Sequence, residues 1–247
     1  LRVMAKSILG MDPARIEKIV CKLEEVAPNS PFARTAIDIA LFDIVGKTLG
    51  VPVYTLLGGL YREQIELVWP IGIKPPEEAA REAKEKVDQG FKAIKVKIGS
   101  TPEEDYMRVA AVREAVGPDI PIRVDGNQGY NLDTAKKTLI ELEGLGLQLI
   151  EQPLPEDDLA GHRELRKILK TPIMADESVY SPSDAIEVIK TSAVDVINIK
   201  IMKPGGLYRA KQVAAISEAG GVPNIIGSML EAGIGTAAGI HVAVATR

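Results

Sequence analysis

Three carboxylates and three lysines are the residues of this sequence whose types and spacing could do chemistry. Asp125 stands at the end of the run Arg123-Val124-Asp125-Gly126-Asn127, Glu151 at the end of Leu149-Ile150-Glu151-Gln152-Pro153, and Asp176 at the end of Met174-Ala175-Asp176-Glu177-Ser178. They recur at intervals of 26 (151 − 125) and 25 (176 − 151) residues. Carboxylates forced together in a dry site repel one another and hold protons unless a cation neutralises them. Oxygen donors with no Cys or His beside them select a hard ion, Mg²⁺ before Mn²⁺. One carboxylate at a strand end is commonly a helix cap, but capping does not explain three in register with lysines on both flanks. In Ala93-Ile94-Lys95-Val96-Lys97-Ile98 the strand period of two puts Lys95 and Lys97 on one face and the three aliphatic residues on the other. At 200 − 176 = 24 residues beyond Asp176 a further run ends on Lys200, with Asn198 on the same face. Lys95 also reads as a buried ion-pair partner of a carboxylate. Gln152 and Glu177 read as neighbours or rim of the site. His162 and His241 fall in helical stretches and read as core or solvated residues. Lys203-Pro204-Gly205-Gly206 reads as a helix-starting turn rather than a phosphate loop.

These residues need a scaffold that brings successive strand ends together. Short β-branched runs at 65–73, 93–98, 120–124, 147–150, 172–175, 194–201 and 222–226 alternate with helical stretches of about a dozen residues. That is the pattern of repeated βαβ units and a parallel sheet. Seven units at a steady period predict an α/β fold of the TIM type, a (β/α)7β barrel, with charges at the C-terminal strand ends facing the mouth. An open doubly wound sheet is the competing reading, and its dinucleotide-binding form lacks a Gly-x-Gly-x-x-Gly after the first strand. The first sixty residues read as helical. Asp12-Pro13 and Ser30-Pro31 each suggest a cap followed by proline at the first helical position, and Gly50 with Pro52 a stop. Ala36, Ile37, Ala40, Leu41 and Ile44 are expected to form the packing face of the second helix.

The composition narrows the partners. Of 247 residues, 46% are hydrophobic and 26% charged, as in an ordinary globular protein. A net charge of -4 and no Lys/Arg run argue against nucleic acid as a partner. The single Cys21 excludes an internal disulfide framework and fits a reducing, cytoplasmic compartment. Residues 1–10 lack a secretory pattern, and the weakly polar stretch 232–246 is shorter than the roughly 20 apolar residues that span a bilayer, so no membrane anchor is expected.

The set Lys95-Val96-Lys97, Asp125-Gly126-Asn127-Gln128, Glu151-Gln152-Pro153, Ala175-Asp176-Glu177-Ser178, Asn198-Ile199-Lys200 and Ser228-Met229-Leu230-Glu231 resembles the enolase superfamily. Within it, the mandelate racemase/muconate lactonizing enzyme family and its muconate cycloisomerase-like subgroup are the nearest pattern. The resemblance implies an Mg²⁺-dependent isomerase of the muconate cycloisomerase type that removes the proton α to the carboxylate of a small-molecule substrate and leaves a metal-stabilised enediolate. It implies Asp125, Glu151 and Asp176 as metal ligands, Lys97 as base on one face, and Lys200 as acid or base on the other. Lys95 would disfavour a second ammonium beside it by like-charge repulsion, and Asn127 would bind or orient the substrate carboxylate. N-acylamino acid racemase, dipeptide epimerase, acid-sugar dehydratase and a non-catalytic barrel are the alternatives; Gly227 and Ser228 stand where a dehydratase has a His. The resemblance further implies a homo-oligomer, with residues 1–62 as the helical tail of an N-terminal α+β capping domain and 63–247 as the barrel. An eighth strand is expected beyond Arg247.

Overall fold

The computed structural model describes all 247 residues. In chain order the elements are α1 (Arg2–Ile8), α2 (Ile16–Val26), α3 (Pro31–Leu49), α4 (Val53–Leu56), β1 (Val68–Ile71), α5 (Pro76–Asp88), β2 (Ala93–Lys97), α6 (Pro102–Val116) and β3 (Ile122–Asp125). There follow α7 (Leu132–Glu143), β4 (Leu147–Glu151), α8 (Leu159–Ile168), β5 (Ile173–Ala175), α9 (Pro182–Thr191), β6 (Val196–Lys200), α10 (Leu207–Ala219), β7 (Asn224–Gly227) and α11 (Gly233–Val244). The strands form one sheet in the order β1-β2-β3-β4-β5-β6-β7, and the paired strands from β1 to β6 run parallel. Every strand lies beside its successor, so the winding never reverses. That is TIM-type barrel topology and differs from a doubly wound sheet, whose strand order turns back at a switch point. All seven expected strands are present.

The chain divides into two compact units. One comprises Glu66–Val179 with Glu187–Ile197 and holds β1 to β5 and the start of β6. Its strands are apolar on the helix side: Ile94, Val96, Ile122, Val124, Ile150 and Ile173 are fully buried. Three of the helices, α6, α7 and α8, start on side-chain caps, where Thr101, Asn131 and Asp158 accept from the N–H groups of Glu104, Thr134 and Gly161. Residues β2 Lys97, β3 Asp125 and β4 Glu151 stand opposite one another in a single row. A register shift produces this alignment. Ile122 pairs with Leu147 but Arg123 pairs with Leu149, so Gln148 is an extra residue on β4. Arg123 Nε donates to Gln148 Oε1 at 2.7 Å across that bulge. Without the extra residue Ile150 would oppose Asp125, and Glu151 would point to the other face of the sheet.

The other unit comprises Leu1–Ile65, Tyr180–Ile186 and Asn198–Arg247. Met4, Ile19, Leu23 and Leu41 form its apolar cluster around α1, α2 and α3. Ser30-Pro31 opens α3 and Gly50 closes it in the left-handed region, as expected. Asp12-Pro13 opens no helix: Asp12 Oδ1 accepts from Ala14 N–H in a turn, and α2 starts at Ile16. The packing face of α3 also differs from expectation. Ala36 and Ala40 are exposed and so is Ile44, while Arg34, Thr35, Asp38, Leu41 and Phe42 are buried. The polar members of that face meet backbone groups. Thr35 Oγ1 lies 3.4 Å from the Ile201 carbonyl, and Asp38 accepts from Leu207 N–H (2.5 Å) and Tyr208 N–H (3.4 Å) at the start of α10. Gly206, at φ 126°, leaves no room for a Cβ, which would strike the Asp38 carboxylate.

Burial pushes Asp38 up to about 7 against the pull of the two N–H donors. A carboxyl whose folded-state value lies above its unfolded value of about 4 favours the folded state below that value and loses the contribution as pH rises through about 7. Urea denaturation of the wild type and Asp38→Asn between pH 4 and pH 8 is expected to show the wild type losing stability relative to the variant by up to about 1.4 kcal/mol per pH unit in that window. Parallel curves would exclude the linkage.

Candidate active site and metal centre

Asp125, Glu151 and Asp176 are brought together by the ends of β3, β4 and β5. Each is buried, with at most 1% of its surface exposed, and each offers an oxygen within 4.8 Å of the others. Lys95 and Lys97 project from β2 into the same place. Lys95 Nζ lies 3.0 Å from Asp125 Oδ2 and 2.9 Å from Glu151 Oε2, so it is the ion-pair partner of two carboxylates. Lys97 Nζ donates to Asp125 Oδ2 at 2.7 Å and to Asn127 Oδ1. Asn127, at φ 40°, donates its backbone N–H to Asp125 Oδ1 (3.0 Å) and its amide to Glu177 Oε1 (2.9 Å). Six of the seven expected site residues therefore share one cluster. Lys200, the seventh, is the last residue of β6, with Asn198 buried two residues before it.

The electrostatics fit a divalent cation. Burial raises Glu151 to about 7, and the charge of Asp125 adds to the effect. Burial works against the Lys95 ammonium, yet Glu151 and Asp125 outweigh it and hold the lysine above its ordinary range. Two ammonium groups leave three crowded carboxylates incompletely neutralised, and a hard dication held by oxygens relieves the excess.

Beneath Lys97 lies a buried network that the sequence reading did not find. Asp105 Oδ2 accepts from Gly99 N–H (2.9 Å), Ser100 N–H (3.0 Å) and Tyr130 Oη (2.5 Å), and Asp105 Oδ1 accepts from Arg108 at 2.6 Å. Arg108 in turn donates to the backbone carbonyls of Lys74 (2.9 Å) and Lys97 (3.2 Å). Asp105, Arg108 and Tyr130 each make at least two hydrogen bonds, which offsets the cost of burying the ion pair. Its one signal in the sequence is an acidic and a basic residue three apart near a helix start, a spacing more often found on exposed faces. Gln152, expected as a neighbour or rim of the site, and His162, expected as core or solvated, are both fully buried. Tyr54 N–H donates to His241 Nδ1 at 3.3 Å, away from these groups in the sequence and within the other unit. No helix is long and apolar enough to cross a membrane.

Comparison with known proteins agrees with this geometry. Residues 78–247 match the family described as Enolase C-terminal domain-like, and residues 1–58 match the Mandelate racemase / muconate lactonizing enzyme, N-terminal domain. The chain is 39% identical over 98% of its length to the L-Ala-D/L-Glu epimerase of Clostridium acetobutylicum, covering 68% of that protein. It is 39% identical over 99% of its length to Muconate cycloisomerase 1 of Rhodococcus opacus, covering 66% of it. The crystal structure of the dipeptide epimerase from Enterococcus faecalis V583 complexed with Mg and dipeptide L-Leu-L-Tyr superposes with a TM-score of 0.96, at 40% identity over 99% of this chain and 69% of that one. The chain belongs to the mandelate racemase/muconate lactonizing enzyme family of the enolase superfamily and is an isomerase of that superfamily with a magnesium-binding acidic triad. It spans about two thirds of the length of these relatives.

Proposed function

We propose that the protein epimerises the carbon α to a carboxylate in a dipeptide or an N-acylated amino acid, with Lys97 and Lys200 as its two acid–base groups. The observation that carries this reading is the placement of the Lys97 amine, 2.7 Å from Asp125 Oδ2 and bonded to Asn127 at the edge of the acidic triad. A carboxylate group bound at the triad would bring its α-proton close to that amine. Asp125, Glu151 and Asp176 would hold the magnesium ion, whose charge stabilises the negative charge that develops on the substrate carboxylate. Lys97 takes or returns the proton on one side, and Lys200 does so on the other. Lys95, two residues before Lys97 on the same strand, pairs with Asp125 and Glu151, and Asn127 orients the substrate carboxylate. Inversion at one carbon requires a proton donor on the side opposite the base, which is the reason for two lysines. Similarity to an L-Ala-D/L-Glu epimerase and a dipeptide epimerase supports this choice of substrate class.

Cycloisomerisation of muconate is the second reading, favoured by the 39% identity to a muconate cycloisomerase. Incubation with Mg²⁺ in D₂O, followed by NMR, separates them. Dipeptides or N-succinylamino acids are expected to exchange the α-proton and invert, and EDTA to stop both. Lactone formation from cis,cis-muconate without any exchange in the amino-acid derivatives would favour the second reading. Inertness of all these compounds would overturn the acid–base assignment.

A further inference from the structure

Gln152 follows the metal ligand Glu151 in the chain, and its carboxamide is completely buried. Its φ of 34° lies in the left-handed region, which costs a residue with a side chain about 1 kcal/mol or more and persists only where surroundings enforce it. The surroundings here are hydrogen bonds. Gln152 Oε1 accepts from the backbone N–H of Asp176 (2.8 Å) and of Ser178 (3.1 Å). Gln152 Nε2 shares its two N–H groups among the Leu154 carbonyl (3.0 Å), Ser178 Oγ (2.8 Å) and His162 Nε2 (3.3 Å). Ser178 Oγ passes its own proton to the Glu156 carbonyl at 2.8 Å.

His162 decides which way the amide points. Its Nδ1 lies 2.8 Å from the Asp158 carbonyl oxygen, which can only accept, so Nδ1 carries the proton. Nε2 is then a lone pair, and it faces the NH₂ end of Gln152 rather than the oxygen. Burial opposes a second proton on this ring. The main chain of Gln152 extends the same linkage: its N–H donates to the Met174 carbonyl, and its carbonyl accepts from Gln128 N–H, both at 2.9 Å. The neighbouring Glu151 carbonyl accepts from Gly126 N–H at 2.9 Å. One residue thus ties the loop after Asp125, the ligand Glu151 and the backbone of Asp176 itself.

We propose that Gln152, oriented by the neutral Nδ1–H form of His162 and by Ser178, is the positioning residue of the metal centre, setting the spacing of Asp125, Glu151 and Asp176 that a magnesium ion requires. It touches neither ion nor substrate; it acts through the backbone of the ligands. The inference rests on the reading of these carboxylates as the magnesium site. Outer partners of metal ligands typically change affinity by about 10- to 100-fold when removed.

The test is calorimetric titration of Mg²⁺ into the protein with no substrate present, well below its melting temperature. Gln152→Met fills nearly the same volume, adds no charge and removes every side-chain hydrogen bond, so the Mg²⁺ Kd is expected to rise about 10- to 100-fold. His162→Asn keeps a donor towards the Asp158 carbonyl but withdraws the acceptor from Gln152, and a smaller rise of the same sign is expected. Leu139→Ala, a core substitution in α7, serves as the control: it lowers stability but leaves Kd unchanged, which a merely structural role for Gln152 would also do. A folded Gln152→Met protein with the wild-type Kd overturns the proposal; should that variant not fold, an unchanged Kd in His162→Asn overturns it. A wild type that binds no Mg²⁺ would instead sink the metal-site reading beneath it.

Discussion

Replacing Lys97 by alanine is expected to slow inversion of the substrate, and α-proton exchange of the isomer whose proton faces Lys97, by about 10²- to 10⁴-fold, the contribution of a placed general base, equivalent to about 3 to 5 kcal/mol of barrier. The loss belongs in turnover rather than in metal binding. Lys97 Nζ occupies a hydrogen bond on Asp125 Oδ2, so its removal leaves that oxygen available, and Mg²⁺ affinity should be retained or improved. The two-lysine reading adds a stereochemical expectation. With Lys97 gone, Lys200 still reaches one configuration of the α-carbon, and that isomer alone should continue to wash its proton out into D₂O without inverting. Lys200→Ala should show the opposite isomer preference. Exchange of both isomers at wild-type rates in Lys97→Ala would remove this lysine from the mechanism.

Glu151→Gln is expected to abolish stabilisation of the fold by Mg²⁺. A ligand that binds only the folded state adds about 2.7 kcal/mol at a hundredfold excess over Kd, and for a chain of this size each kcal/mol moves Tm by roughly 2 to 4 °C. The wild type should therefore melt several degrees higher with Mg²⁺ than with EDTA, and Glu151→Gln at the same temperature in both. The neutral amide keeps the volume of the side chain but withdraws one of three anionic oxygens and the partner that lies 2.9 Å from Lys95 Nζ. With one carboxylate fewer, Lys95 and Lys97 suffice to neutralise Asp125 and Asp176, and the driving force for recruiting a dication is gone. Scanning calorimetry with and without EDTA reads the result; an undiminished Mg²⁺ shift in the variant would take Glu151 out of the ligand set.

The fold and most of the site were legible because their signals are local. Two lysines separated by one residue must share a face of a strand, and carboxylates at the ends of successive βα repeats must meet at one end of a parallel sheet. Those facts need no knowledge of what packs where. Where the reading failed, a choice of partner was involved. In α3 the apolar spacing pointed to Ala36, Ile37, Ala40, Leu41 and Ile44; Leu41 is buried with Ile37 packed beside it, but Ala36, Ala40 and Ile44 are exposed and the buried face carries Thr35 and Asp38. Hydrophobic periodicity does not anticipate this, since a polar residue becomes a good core residue only when a backbone donor or acceptor of another segment is waiting for it. The α10 N–H groups of Leu207 and Tyr208, some 170 residues away, are that segment for Asp38. The same holds for Asp105 and Arg108, whose spacing is that of any surface ion pair.

What the sequence by itself determined is the set of groups available: three carboxylates positioned for a hard cation, lysines beside them, and a βα repeat to align them. Tertiary structure alone decided the alignment. The extra residue Gln148 in β4 puts Glu151, rather than Ile150, opposite Asp125, and the carboxamide of Gln152 joins that row to Asp176. Register in a sheet is a property of two strands, settled by backbone pairing and burial across them, and a one-residue slip in either would have sent a ligand to the wrong face.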